Sequence, residues 1–192
     1  MIMASKPFFK GRLIAIGGNE DKSDELVLLK RVVQEAGKTD YKLCVITAAS
    51  EDPEQRGQDY RQVFTVLGAS RIEILSIKER AQANDITLAK KLEDADLIFL
   101  TGGDQLRLTT IVGGTRIFEA IQNRLETGAI IAGTSAGAAV FSDTMIYEGQ
   151  VKTGCSKEAS SLHPDSVLWK KSFLILILWQ EVVLGVWFRL LQ

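Results

Sequence analysis

The chain has 192 residues, 24% of them charged, with 23 Lys+Arg against 24 Asp+Glu and a net charge of −1. That length can bury the core of one domain. The balanced charge offers neither the basic face that nucleic acid requires nor an acidic tail.

Residues 1–11 hold no apolar stretch followed by a small-residue cleavage site, so no secretory signal is read there. Leu13-Ile14-Ala15-Ile16, closed by Gly17-Gly18, reads as a first strand and its loop. From Ser23 to Ala36 the residues Leu26, Leu29, Val32 and Val33 recur at helical spacing, with Asp24 and Glu25 early and Gly37 as the stop. Leu43 to Thr47 is a second buried strand, Asp59 to Leu67 a second helix and Ile72 to Leu75 a third strand. Cys44 lies inside that second apolar strand and forms no C-x-x-C with Cys155, the other cysteine. A buried free thiol and a reducing, cytoplasmic setting are therefore expected. Ala95 to Leu100 is a fourth strand ending in Thr101-Gly102-Gly103-Asp104, and Thr115 to Thr127 is a helix. Near-continuous apolar strands alternating with helices argue for a parallel sheet covered on both faces. Ligands of such sheets bind beyond the carboxyl ends of the strands, where Gly17-Gly18, Gly102-Gly103 and Ser135 converge.

The apolar pair Ile130-Ile131 leads into Ala132-Gly133-Thr134-Ser135-Ala136-Gly137-Ala138, one hydroxyl nucleophile flanked by small residues. A strand ending there and a helix starting at Ala136 force Ser135 into a tight, strained turn. Its side chain then projects, and nearby backbone N–H groups are free to bind an oxyanion. A tight strand-to-helix turn without chemistry has the same letters. Asn19 and Glu20 read more readily as a turn and a helix-N-terminal carboxylate than as substrate contacts, and Asp104 as a turn or cap residue.

Three segments carry a resemblance: Gly17-Gly18-Asn19-Glu20-Asp21, Phe99 to Gln105, and Gly133 through Ile146. Together they resemble the serine peptidase family that holds cyanophycinases and aspartyl dipeptidase (peptidase E), over about Leu13 to Gln150. The resemblance implies a flavodoxin-like α/β fold, related to class I glutamine amidotransferases, and a serine exopeptidase. It implies cyanophycin, a polyaspartate backbone with arginine on each side-chain carboxyl, cut to β-aspartyl-arginine dipeptides, or a β-aspartyl peptide as substrate. It also implies Ser135 as the nucleophile, the N–H groups of Gly103 and Ala136 as the oxyanion hole, and Gln105 as a substrate-holding residue. No metal and no cofactor are assigned, and neither a nucleic-acid nor a membrane partner; a homodimer is compatible with this reading.

The family's base is a histidine in a D-x-H-F segment followed by R-G-R-x-x-R-L. The single histidine here, His163, stands in Ser161-Leu162-His163-Pro164-Asp165 and reads as an exposed loop residue. From Leu168 on, the composition turns apolar. Pro164 to Gln192, back-translated and read from the last base of each codon, permits over Pro164 to Arg189 the string GFGLLEEVFLDTHFVARGRFGRLVQ. Trp169-Lys170, Trp179-Gln180 and Trp187-Phe188 force Glu, Ala and Val in it, because tryptophan has a single codon. We read residues 1–153 as the N-terminal part of the peptidase domain and 154–192 as an out-of-frame tail, with a frameshift between about Gly154 and Pro164. The sheet is then expected to be incomplete and the chain inactive. Competing readings of the tail are a membrane span over Ser172 to Leu191, which Glu181 makes costly, and a buried amphipathic helix. For the whole chain the alternatives are an aspartyl dipeptidase and a nucleotide-binding module built on Gly17-Gly18, which lacks G-x-G-x-x-G. A glutamine amidotransferase needs cysteine where Ser135 stands.

Overall fold

The computed structural model describes residues 10–37 and 40–141 in full and the backbone of 174–179 and 182–187. Five strands, β1 (Arg12–Ile16), β2 (Lys42–Ile46), β3 (Arg71–Leu75), β4 (Leu97–Leu100) and β5 (Ile130–Thr134), pair in parallel. Two more, β6 (Leu174–Trp179) and β7 (Val182–Trp187), extend the sheet at β1, β6 parallel to β1 and β7 antiparallel to β6. The order is β3-β2-β4-β5-β1-β6-β7. Helices α1 (Val27–Ala36) and α2 (Pro53–Val66) follow β1 and β2; α3 (Arg80–Ala83) and α4 (Ile86–Lys90) follow β3. Helices α5 (Gln105–Val112) and α6 (Arg116–Thr127) follow β4, and the short α7 (Ala136–Ala139) follows β5.

Alternation along the strands divides the interior into two layers, because successive strand side chains point to opposite faces. Leu13, Cys44, Ile46, Ile98, Leu100 and Ile131 pack with Leu108, Phe118 and Ile121 from α5 and α6. Ile14, Ile16, Val45, Phe99 and Ala132 pack with Leu29 and Val32 of α1 and with Tyr60 and Phe64 of α2. The second layer centres on Phe99, whose ring centroid lies 5.0 Å from that of Tyr60 and 5.3 Å from that of Phe64. Truncating a fully buried phenylalanine of this kind costs about 3–5 kcal/mol. The flavodoxin-like α/β architecture is thus observed, with helices on both faces.

Four local expectations change. Helix α1 begins at Val27, not Ser23, because the Asp21 carboxylate accepts the N–H groups of Ser23 (2.9 Å), Asp24 (3.0 Å) and Leu26 (3.0 Å). A side chain that binds the backbone this way competes with the first helical turn. Helix α2 begins at Pro53 rather than Asp59, capped by Asp52, which accepts the Gln55 N–H at 3.1 Å. Helices α3, α4 and α5 form where no helix was expected. The tail segments 174–179 and 182–187 are strands and not a helix of either kind, so their backbone occupies the sheet edge that was expected to be missing. Leu174-Ile175-Leu176-Ile177-Leu178 is an apolar run short enough for a strand, and its register on β1 pairs Leu13 with Ile175 through Ile16 with Leu178. His163, Cys155, the segment Asp143 to Ile146 and the 153/154 boundary lie outside the described residues.

Candidate active site

Strand β5, central in the sheet, ends at Thr134, and the chain turns sharply at Ser135 into α7. Ser135 has φ 50° and ψ −116°. Such a conformation costs a residue with a side chain on the order of 1–3 kcal/mol and persists only where the surroundings impose it. Here the Ser135 N–H donates to the Ile16 carbonyl at 3.0 Å, while its own carbonyl accepts from Ala138 and Ala139, each at 2.9 Å. The small neighbours let the backbones close up. A Cβ on Gly133 would stand 2.1 Å from the Gly137 carbonyl oxygen, and one on Gly137 2.3 Å from that of Leu100. The turn therefore rests on β4 and β5 with no side chain between, and Ser135 itself stays exposed.

Two glycine loops face this serine. A Cβ on Gly18 or on Gly102 would come within 3.1 Å of the Ser135 Cβ. Gly103, at φ 146°, is packed so closely that a Cβ would lie 2.1 Å from the Ala49 carbonyl oxygen. Ala136 is buried at the first position of α7. Among the described residues the N–H groups of Gly103 and Ala136 have no acceptor. Gln105 opens α5, half-buried, and is not among the residues lining the cleft described next. Asp104 caps that helix, accepting the Arg107 N–H at 2.9 Å.

A cleft of about 530 Å³ lies over the strand ends, lined by Ser135, Gly102 and Gly103 on one side and by α2 on the other. At its floor is Glu20, only 5% exposed and not at a helix N-terminus as its sequence context suggested. Its carboxylate accepts the Tyr60 hydroxyl, accepts the Thr134 hydroxyl at 2.5 Å, and pairs with the Lys22 ammonium at 3.1 Å. Burial opposes ionisation of Glu20, but the bonds from Thr134 and Tyr60, with Lys22 nearby, outweigh it and hold its pKa below the ordinary value. Burial and then the Glu20 charge push the Tyr60 hydroxyl upward, so it remains a donor. Lys22 also rides over the Tyr60 ring, 5.3 Å from its centroid.

Sequence reasoning brought Ser135, Gly102 and Gly103 to one end of the sheet, and the structure brings them together there. It missed the wall formed by α2: Asp52, Arg56, Asp59 and Tyr60. The available signal was Asp52-Pro53, a cap followed by proline at the first helical position. Extending α2 back to it sets Arg56 one turn before Tyr60, on the same flank.

Residues 13–164 match peptidase family S51. The chain belongs to that family. Among its relatives, a cyanophycinase of Geminocystis herdmanii is 37% identical over 145 residues, covering 75% of this chain and 53% of the relative. A cyanophycinase of Trichormus variabilis is 39% identical over 141 residues, covering 73% and 47%. The chain thus spans about half the length of the curated relatives it matches. Of solved structures, a peptidase from an acI-B1 Actinobacterium superposes with a TM-score of 0.60 at 25% identity, covering 73% of this chain and 60% of the other. A Listeria monocytogenes protein assigned to peptidase E gives 0.56 at 20% identity, covering 82% and 74%, a likeness of fold. Membership of S51 sets the strained Ser135 turn in a family of peptidases.

Proposed function

We propose that the chain carries the nucleophile half of an S51 serine peptidase site directed at β-aspartyl peptides, with cyanophycin as the polymeric substrate. The observation that carries the reading is the Ser135 turn at φ 50°, exposed in the cleft against Gly102 and Gly103. In this reading the Ser135 hydroxyl attacks the scissile carbonyl carbon, and the oxyanion that forms is received by the N–H groups of Gly103 and Ala136. Gln105 holds the substrate near the scissile bond, as the family resemblance implies; its place beyond the cleft lining makes that role one of approach from the rim. The aspartyl dipeptidase alternative uses the same nucleophile on a shorter substrate.

A serine hydroxyl needs a base to take its proton, and the one histidine of these residues, His163, lies outside the family's histidine motif. We therefore propose that the 192 residues as they stand turn over at no more than a trace rate, and that residues 154–192 are read out of frame. The test is hydrolysis of cyanophycin and of β-aspartyl-arginine by the purified chain, measured as dipeptide released from the polymer and as free amino acids released from the dipeptide. A rate about 10⁴ or more below that of an intact family member is expected, since oxyanion and binding contributions alone survive loss of the base. Full activity abolished by His163→Ala would overturn the reading of the tail. Saturable ATP or NAD binding in the cleft, with no peptide binding, would instead favour the nucleotide module.

A further inference from the structure

The cleft holds an arginine that no described residue pairs with. Arg56 lines the same cavity as Ser135 and is half-buried on the first turns of α2. Its Nε is fully buried with no hydrogen-bond partner, and among the described residues Arg56 makes no ion pair. Of the five acids lining the cleft, exposed Glu51 makes no ion pair with Arg56, and the other four are engaged elsewhere. Glu20 is held by Thr134, Tyr60 and Lys22. Asp52 caps α2 through the Gln55 N–H, and Asp59 accepts the Gln55 side-chain amide at 2.9 Å. Asp104 caps α5. Lys22, the other cation of the cleft, is engaged by Glu20. A guanidinium presents planar, forked donors suited to a carboxylate and cannot shed its charge, so one that is half-buried in the cleft with no partner among the described residues is fitted to receive an anion.

We propose that Arg56 is the carboxylate-binding residue of this cleft, receiving a free carboxylate of an aspartyl peptide whose carbonyl faces Ser135. The inference rests on the reading of the cleft as a peptide site and adds the group that orients the peptide. It also gives the exopeptidase a means of recognising an unblocked acidic residue. Because the Arg56 side chain makes no hydrogen bond or ion pair among the described residues, its replacement is expected to leave the unfolding temperature unchanged while altering what binds.

Calorimetric titration of the 192-residue chain tests this with three probes: β-aspartyl-arginine, its analogue with both carboxylates converted to amides, and succinate. The chain is expected to prefer the dipeptide to the diamide by about tenfold or more, a charge-assisted pair being lost in the latter. Arg56→Gln is expected to erase that preference and Arg56→Lys to keep part of it. Succinate binding that depends on Arg56, without dipeptide binding, would sustain the carboxylate site and remove the peptide reading. Dipeptide binding with its preference unchanged in Arg56→Gln would remove the site and leave the peptide reading intact. Absence of binding by both carboxylate probes would overturn the proposal.

Discussion

The hydroxyl of Thr134 donates to the buried carboxylate of Glu20 at 2.5 Å, and the residue that follows Thr134 is the strained Ser135. One carboxylate thereby ties the loop after β1 to the last residue of β5, and through the Tyr60 hydroxyl to α2. Ser135 projects from a strand end braced on both flanks. Holding a site on packed elements in this way is what keeps its geometry fixed.

Glu20→Ala is expected to destabilise the fold by about 2–4 kcal/mol, because it strands the Tyr60 and Thr134 hydroxyls and the Lys22 ammonium around a vacated site. Glu20→Gln keeps the volume and loses the charge. Since the folded pKa of Glu20 lies below its ordinary value of 4.5, the charge contributes stability above that pH and ceases to as pH falls through the folded value. Denaturant titrations should therefore show the chain more stable than Glu20→Gln at pH 7, with the difference shrinking below about pH 4. A difference independent of pH would mean that the carboxylate is not ionised.

Gly133→Ala should disturb the Ser135 turn without touching Ser135. The added methyl would stand 2.1 Å from the Gly137 carbonyl oxygen, a backbone atom that can yield only if α7 moves off the sheet. Overpacking of this kind costs about 1–3 kcal/mol, and here the strain falls on the elbow that presents Ser135. Chemical denaturation measures the loss, and a midpoint equal to that of the unaltered chain would show that α7 is not anchored where described.

The strands and the serine turn were legible in the sequence for a simple reason. Parallel strands covered on both faces appear as unbroken apolar runs such as Leu97-Ile98-Phe99-Leu100, and a close-packed elbow appears as a run of glycine and alanine. What stayed hidden depends on side chains meeting across the sheet. Asp24 and Glu25 look like acids of a first helical turn, yet Asp21 takes three backbone N–H groups there, which also lowers its pKa to about 2. The first turns of α2, Glu54 to Gln58, are polar apart from Gly57, so apolar periodicity is silent where Arg56 enters the cleft. Glu20 could not be read as a buried brace, because its partners Tyr60 and Thr134 are 40 and 114 residues away in the chain.

Cys44 should be inert in the native state. Its thiol is buried, donates to the Lys91 carbonyl at 3.4 Å, and is pushed by burial up to about 12. Reaction requires the thiolate and access to it, and Cys44 has neither. In a Cys155→Ser background, a disulfide reagent at pH 8 is expected to titrate no thiol until denaturant is added. Prompt native-state reaction would show that the layer between the sheet and α4–α6 opens easily.

The frame proposal has the most direct check, and it is made on DNA. If residues 154–192 are read out of frame, the codons from Leu174 through Ile177 must spell D-T-H from the last base of each codon and the first two of the next. Leucine and isoleucine codons permit that spelling without requiring it, so the sequence of the gene decides. Removing or adding bases between Gly154 and Pro164 is then expected to yield a chain with the D-T-H-F histidine and the R-G-R-F-G-R-L arginines. In that chain the imidazole is expected to take the Ser135 proton, while the arginines pair with free carboxylates of the substrate, those of its arginine branches and chain end. Release of β-aspartyl-arginine from cyanophycin should rise by about 10⁴ over the present chain and vanish in Ser135→Ala. Codons that fail to spell D-T-H end the frame proposal before any protein is made, while leaving the Ser135 turn and the Arg56 cleft to be judged on their own tests.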